Sequence, residues 1–406
     1  MAFTIDQTMK LLHVINSMDP AMGGPCQGIR NVIEESERLG IFREVACLDD
    51  PSADYLGKDS FRIHALGPKV GRWQYGSRLI PWLKENLDRF DAVIINGLWL
   101  YPSYGAWKAI KSYKKSTNKE LKTFVMPHGM LDPYFQKASS RKLKAIRNWF
   151  YWEFLEKNVV NDADCLLFTC EEELRLARDT FNSYQPKNTK NVGYGIEEPP
   201  AFSDSMAAAF YNKCPEVKNK PYLLFLSRIN YKKGIDLLIK SYSAMVDEYS
   251  SKKKDIPKLV IAGPGLDTAY GEKMMNLVSE DVRLKGQVFF PGMLSGAAKW
   301  GAFYGCEAFV LPSHQENFGI ALVEALACSK PVLTTNQVNI WREIAEGIAG
   351  FIDEDTLQGT QQLLSNFLAL DDLARRAMGR NARSTFEKNF SIKNSVRRFT
   401  DVITAF

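Results

Sequence analysis

The chain has 406 residues, of which 45% are hydrophobic and 24% charged, and a formal net charge of +5. That length predicts two or three domains with a sizeable buried core, and the composition excludes a disordered or fibrous chain. So modest a positive charge does not point to nucleic acid as a partner. The seven cysteines stand at wide spacings with no C-x-x-C pair. They argue against a disulfide framework or structural zinc and for a reducing, cytoplasmic setting. The start MAFTIDQTMK lacks the secretory pattern, and no apolar run is long enough to span a bilayer.

In chain order, residues 1–8 precede the first strand-like run. Residues 11–16 (LLHVIN) predict a buried strand, 29–39 an amphipathic helix ended by Gly40, and 45–48 a second strand. Residues 92–96 (AVIIN) predict a strand, 103–113 a helix, 123–126 a strand, 165–169 (CLLFT) a strand and 171–179 a helix. The run EEPP at 197–200 then breaks the pattern, and 201–220 is polar and mixed, so the interdomain linker is placed there. Alternation resumes with strands at 222–226 (YLLFL), 258–262, 288–290, 308–311 and 332–334, and with helices at 234–248 and 319–328. Phe386, Phe390, Val396, Phe399, Val402 and Phe406 form an apolar stripe, and a last amphipathic helix is expected over 393–406. Strands alternating with helices mean parallel sheets covered on both faces, here an α/β chain of two Rossmann-like domains. In such sheets ligands bind outside the carboxyl ends of the strands, which is where the motifs fall.

The strongest motif is Glu316 to Glu324 (ENFGIALVE), after the strand ending AFVL. Its two carboxylates are eight positions apart on a helix, which sets their backbones about 12 Å apart and about 80° apart in rotation. That span matches the distance from sugar to ribose in a nucleotide sugar. Between them the amides of Phe318, Gly319 and Ile320 open the helix and offer an anion site for a diphosphate. A surface helix with incidental acids explains Glu324 poorly, because its neighbours (ALVEALA) are apolar. The second motif is S-R-I-N-Y-K-K-G at 227–234, where Arg228 and Lys233 stand five apart. Two fixed cations stabilise a departing diphosphate without a metal. The third is Met22-Gly23-Gly24-Pro25, a tight turn after the first strand; no G-x-G-x-x-G is present, so the nicotinamide or flavin fingerprint is missing. The fourth is P-H-G-M-L at 127–131, which places His128 at a strand end to meet sugar hydroxyls or the acceptor.

With these motifs, and with I-A-G-P-G at 261–265 and P-G-M-L at 291–294, the chain resembles family 4 of the glycosyltransferases over nearly its whole length. The resemblance implies the GT-B fold. Its acceptor-binding domain covers 1–198 and its nucleotide-sugar domain 199–390, facing a central cleft, and a helix over 391–406 crosses back to the first. It further implies retaining, metal-independent transfer of a hexose from a UDP- or GDP-linked sugar, with no cofactor. By that resemblance Glu316 holds donor-sugar hydroxyls and Glu324 the ribose. Arg228, Lys233, Gly23 and Gly24 with the Phe318 and Gly319 amides meet the diphosphate, and Ile320 opens the same helix. Met293 and Leu294 frame the base, and His128 contacts the donor sugar near the acceptor. Asn317 stands where many relatives have glycine and joins the donor contacts. The P-H-G-M-L form resembles enzymes of surface or extracellular polysaccharide assembly. A sugar-nucleotide epimerase of the same fold and a non-catalytic donor-binding subunit are the rival readings.

The positive charge is clustered: Lys108, Lys111, Lys114, Lys115, Lys119 and Lys122, then Lys137, Arg141, Lys142, Lys144 and Arg147. The second cluster runs into Trp149, Phe150, Tyr151 and Trp152. Cations beside aromatics fit a lipid-linked glycan acceptor at the anionic inner face of the cytoplasmic membrane. The plain alternative is core aromatics with a solvated basic face.

Overall fold

The computed structural model describes residues 8–137 and 142–406, with the side chains of Lys137, Lys142 and Leu143 outside that description. Arg141 and residues 1–7 also lie outside the described residues. The chain divides into two compact units, Met1–Gly195 together with Ile392–Phe406, and Ile196–Ser391.

The first unit is built on seven strands: β1 (Met9–Val14), β2 (Ile41–Cys47), β3 (Ile63–Ala65), β4 (Ala92–Asn96), β5 (Lys122–Met126), β6 (Cys165–Phe168) and β7 (Thr189–Asn191). They form one sheet in the order β3-β2-β1-β4-β5-β6-β7, with every pairing parallel. All five residues of β4 are buried, as a strand covered on both faces requires. β3 and β7 lie at the two edges, are three residues long and half-buried; no apolar run marks them in the sequence.

One face of this sheet is closed by the helix Ile392–Ile403. Its Val396, Phe399 and Ile403 are buried, and Phe399 and Ile403 pack with Leu11, Ile94, Phe124 and Leu167. The apolar stripe read along the C-terminus therefore divides at Ser391. Phe386 and Phe390 are buried within the second unit, while Phe399 and Phe406 belong to the first, the Phe406 ring standing edge-on to Phe124 at 5.6 Å.

The second unit has six strands: β8 (Tyr222–Leu226), β9 (Lys258–Ala262), β10 (Val288–Gly292), β11 (Ala308–Leu311), β12 (Val332–Thr335) and β13 (Gly350–Asp353). Their order is β10-β9-β8-β11-β12-β13, again all parallel. Each unit is thus doubly wound in the Rossmann manner, with its topological switch point beside its first strand.

The linker expected over 201–220 is not one. Residues Asp204–Lys213 form a helix that packs on the helix Gly296–Gly305. Phe210 is fully buried there, and a Cβ on Gly301 would stand 2.0 Å from the Met206 carbonyl oxygen. Contact at that range needs glycine, and the small residues of DSMAAAF hid a largely solvent-facing helix, anchored by Phe210, behind a bland composition. The first lysine cluster is largely a solvated, ion-paired face: Lys111 meets Asp162 and Lys114 meets Asp164, both at 3.2 Å. The seven cysteines are all buried and unbridged. Among the described residues no helix is long and apolar enough to cross a membrane.

Candidate active site

In the second unit the loop after β8 meets the loop after β11 at the switch point. The His314 amide donates to the Lys232 carbonyl at 2.8 Å. Gly234 takes φ +65°, and a Cβ there would stand 1.8 Å from the Pro312 oxygen. Gly263 of the G-P-G segment is just as tight against the Ser227 oxygen, at 1.8 Å. Glycine at these two positions is what lets the loops close. They carry Lys233 to Glu316, whose carboxylate accepts from Nζ in an ion pair, with side chains 12% and 21% exposed. Arg228 is exposed and has no ion-pair partner among the described residues.

The main chain of Glu316 is pinned on both sides, its amide donating to Gln337 and its carbonyl accepting from the Asn339 amide, each at 3.0 Å. Asn339 also donates to the Asn317 side chain at 3.3 Å. Gly319, at φ +79°, turns the chain into the helix Ile320–Ala327, and its amide and that of Ile320 lie in the first turn, where no intrahelical acceptor exists. Phe318 is buried edge-on to Phe390 at 5.6 Å. Glu324 projects from the helix and accepts from Lys299 Nζ at 2.8 Å; Lys299 lies 4.1 Å over the Trp300 ring. Met293 is exposed and Leu294 buried. This unit therefore gathers two cations, a helix start and two carboxylates, a set able to neutralise a diphosphate and grip hydroxyls. Lys299 and Asn339 are missing from the sequence-level set. Each lies on a different element from the carboxylate motif, and only the packing of helices and loops brings it there.

In the first unit Gly23, at φ +84°, ends a short turn and leads into the helix Gly24–Arg38, and a Cβ at Gly23 or Gly24 would meet nothing within 4 Å. The turn borders a cavity of about 320 Å³ lined by Asn16, Ser17, Met22, Pro25, His128 and Met130. His128 sits two residues after β5 at φ +52°, a backbone conformation uncommon outside glycine and met most often where function fixes it. The Gly129 amide behind it donates to the buried carboxylate of Glu173, which also accepts from the Thr169 amide at 2.8 Å. His128 Nε2 lies 3.1 Å from the Asn96 side chain. Burial lowers its pKa to about 4, so the imidazole is neutral near pH 7.

Of the second basic cluster, Lys142, Lys144 and Arg147 lie on the helix Lys142–Tyr151, continued by the π-helical turn Trp152–Glu156, and Lys137 ends the short helix Tyr134–Lys137. Trp152 is core, stacked on Phe181 at 4.4 Å, and Tyr151 is half-buried. Ile146, Trp149, Phe150 and Phe154 are exposed, beside the exposed Lys144 and Arg147. The sequence-level grouping thus splits: half of its aromatics face solvent, joined by Ile146 and Phe154.

Two doubly wound units with these sites define a GT-B protein, and the likeness to solved structures is of the same kind. A glycosyltransferase from Rickettsia africae aligns with TM-score 0.75 at 16% identity, over 98% of each chain. Anabaena HepE, solved with UDP and glucose, aligns with TM-score 0.71 at 14% identity, over 98% of this chain and 100% of that one. Residues 23–195 match the glycosyl transferase 4-like domain family, and residues 209–385 match glycosyl transferases group 1. The chain therefore belongs with the GT-B glycosyltransferases of the family 4 type. Among curated relatives it is 26% identical over 239 residues to a D-inositol 3-phosphate glycosyltransferase of Kineococcus radiotolerans. That match takes in 56% of this chain and 54% of the relative. It is 29% identical over 148 residues to sucrose synthase 5 of Oryza sativa subsp. japonica, 33% of this chain and 17% of that one. The chain thus spans about half the length of the first of these relatives, and less of the second.

Proposed function

We propose that the protein is a retaining glycosyltransferase that moves a hexose from a UDP- or GDP-linked sugar to a glycan, without a bound metal. The observation that supports this reading is the meeting at one switch point of Lys233, Glu316 and the Gly319 helix start, with Arg228 on the loop after β8 and Glu324 farther along the same helix. Glu316 and Asn317 grip the sugar, Glu324 the ribose, and Met293 with Leu294 the base. The diphosphate sits on the cations and the Gly319 and Ile320 amides, with Phe318 buttressing the turn. Gly23 and Gly24 give it open approach on the first unit, and His128 meets the sugar near the acceptor. The C1–O bond to the diphosphate breaks as the acceptor oxygen bonds to C1 from the same face. The acceptor proton passes to the leaving phosphate oxygen, and the charge that develops there is what Lys233 and Arg228 stabilise. That Anabaena HepE was solved with UDP and glucose supports a UDP-sugar among the donors to test.

The test is a thermal-shift screen of UDP- and GDP-hexoses in excess EDTA, followed by product analysis with and without glycan acceptors. A donor at about 100 times its Kd adds roughly 2.7 kcal/mol of stability, a rise of several degrees in Tm. Transfer should persist in EDTA. A strict need for Mg²⁺ or Mn²⁺ would overturn the metal-independent mechanism, and an epimerised sugar nucleotide formed without acceptor would overturn the transferase reading.

The acceptor we propose is a lipid-linked glycan of surface or extracellular polysaccharide assembly, met at the cytoplasmic face of an anionic membrane. Its support is the face Ile146, Trp149, Phe150 and Phe154, of helical spacing, with Phe150 and Phe154 stacked at 6.4 Å and Phe154 70% exposed. Exposed aromatics flanked by Lys144 and Arg147 suit a headgroup boundary. The protein should sediment with anionic liposomes at low salt, weakly with neutral ones, and less as salt rises. Glutamate at Trp149 and Phe154 together should abolish sedimentation and leave transfer to a soluble acceptor intact. Equal recovery with and without liposomes would remove the membrane from the reading.

A further inference from the structure

A buried acid ties the aromatic face of the first unit to the wall of the cavity beside His128. In the π-helical turn Trp152–Glu156, Trp152 and Glu156 stand four apart and are fully buried, while Phe154 between them faces solvent. Such turns insert an extra residue into a helix and are frequent at functional sites. Glu156 meets the segment that follows β4. Its Oε1 accepts from the Trp99 amide at 3.1 Å and lies 2.8 Å from Ser103 Oγ. Gly97, Leu98, Leu100, Pro102 and Ser103 of that segment line the cavity of about 320 Å³ together with His128. Trp99 takes φ +72°, a costly conformation for a bulky side chain that persists only where its surroundings fix it. Its indole donates to the Met130 carbonyl at 3.2 Å, and the Leu98 amide lies 3.1 Å from Met130 Sδ. The cavity wall is thus tied to the P-H-G-M-L loop on one side and to Glu156 on the other.

The hydrogen bonds around Ser103 point to a proton on this acid. A hydroxyl has one hydrogen, yet Ser103 Oγ is 2.7 Å from the Leu100 carbonyl oxygen and 2.8 Å from Glu156 Oε1. Beside a carboxylate, both of these close oxygen pairs must share that single hydrogen. With a proton on Oε1, Ser103 donates to Leu100 and accepts from Glu156, while Oε1 still accepts from Trp99. Oε2 is buried with no partner among the described residues, which costs a neutral acid less than a carboxylate. No nearby charge compensates an ionised form. On the helices packed against the turn, the lysines of Tyr101–Ser116 and Lys144 and Arg147 are exposed, Lys111 pairs with Asp162, and Lys157 pairs with Glu153. Burial raises the Glu156 pKa to about 7.

We infer that Glu156 stands as a neutral acid and is a positioning residue, which bridges Trp99 and Ser103 and holds residues 97–103 as the wall of the cavity. This deepens the reading in which the first unit takes the acceptor, and it rests on that reading for its kinetic consequence alone.

The test uses the full chain. Infrared difference spectra of wild type minus Glu156→Gln, with no substrate, isolate the carboxyl group. They should show the carbonyl band of a protonated acid at about pH 6, well above the value of about 4.3 for an ordinary glutamate. The band should fade as the pH is taken to about 8, past the raised pKa. Glu156→Leu leaves the Trp99 amide without an acceptor, so hydrogen exchange over 97–103 should quicken about 10-fold or more. In the transfer assay its KM for the glycan acceptor should rise about 10-fold, with donor KM and kcat within about twofold, the signature of lost binding alone. Glu156→Gln keeps a neutral group that still accepts, so it should recover most of both and show no change in exchange protection between about pH 6 and 8, where wild type loses protection. Absence of the protonated band at about pH 6 would overturn the inference, as would a folded Glu156→Leu with wild-type exchange and acceptor KM. Should Glu156→Leu fail to fold, wild type and Glu156→Gln that keep equal protection across that pH range would overturn it in its place. Since spectra and exchange need no substrate, a wild type that transfers no sugar would overturn the transferase reading and leave the Glu156 result standing.

Discussion

Alanine at Lys233 should cut turnover at saturating donor by about 10²-fold or more, about 2.7 kcal/mol of lost transition-state stabilisation. The proposed leaving group gains negative charge as the C1–O bond breaks, and Lys233 is held at the switch point by the tight Gly234 turn. Its partner makes the loss worse. Glu316 accepts from Lys233 in the structure, so Lys233→Ala leaves that carboxylate uncompensated beside the diphosphate. Arg228 is exposed and has no such partner among the described residues, so Arg228→Ala should cost turnover of the same order without the added repulsion, and it should cost less than Lys233→Ala. The check is steady-state kinetics of both variants against wild type, with Tm measured alongside to show that the fold is kept. Near-normal turnover in both would remove the two cations from the mechanism.

Removal of residues 392–406 should destabilise the first unit to the edge of folding. The helix buries Val396, Phe399 and Ile403 almost completely. At roughly 1.5–3 kcal/mol for each fully buried side chain, the loss is about 5–9 kcal/mol, an upper figure since unfolded chains are partly compact. Set against the roughly 5–15 kcal/mol that holds a domain together, that decides the outcome. The truncated chain should also bind a hydrophobic dye, because Leu11, Ile94, Phe124 and Leu167 lose their cover. The measurements are thermal unfolding and dye fluorescence of the truncated and full chains. An unchanged Tm with full activity would show that the helix is dispensable.

The sequence by itself determined the two alternating α/β halves, because strands buried on both faces read as near-continuous apolar runs, as in AVII of β4 and AFVL of β11. It also named residues on the two loops at the second switch point, since Gly, Lys, Arg and Glu at strand ends are needed for local reasons: a positive φ, a charge, a helix start. The short edge strands β3, β7 and β13 and the helix Asp204–Lys213 escaped it, for they are only partly buried and carry no apolar run or period to mark them. Only the tertiary structure decided which residues meet across elements. Lys299 reaches Glu324 from another helix, and Arg43, His13 and Asn96 come from three separate strands to stand behind His128. Strand order in a parallel sheet is set by crossovers and packing, and it brought together Arg43 and His128, 85 positions apart in the chain.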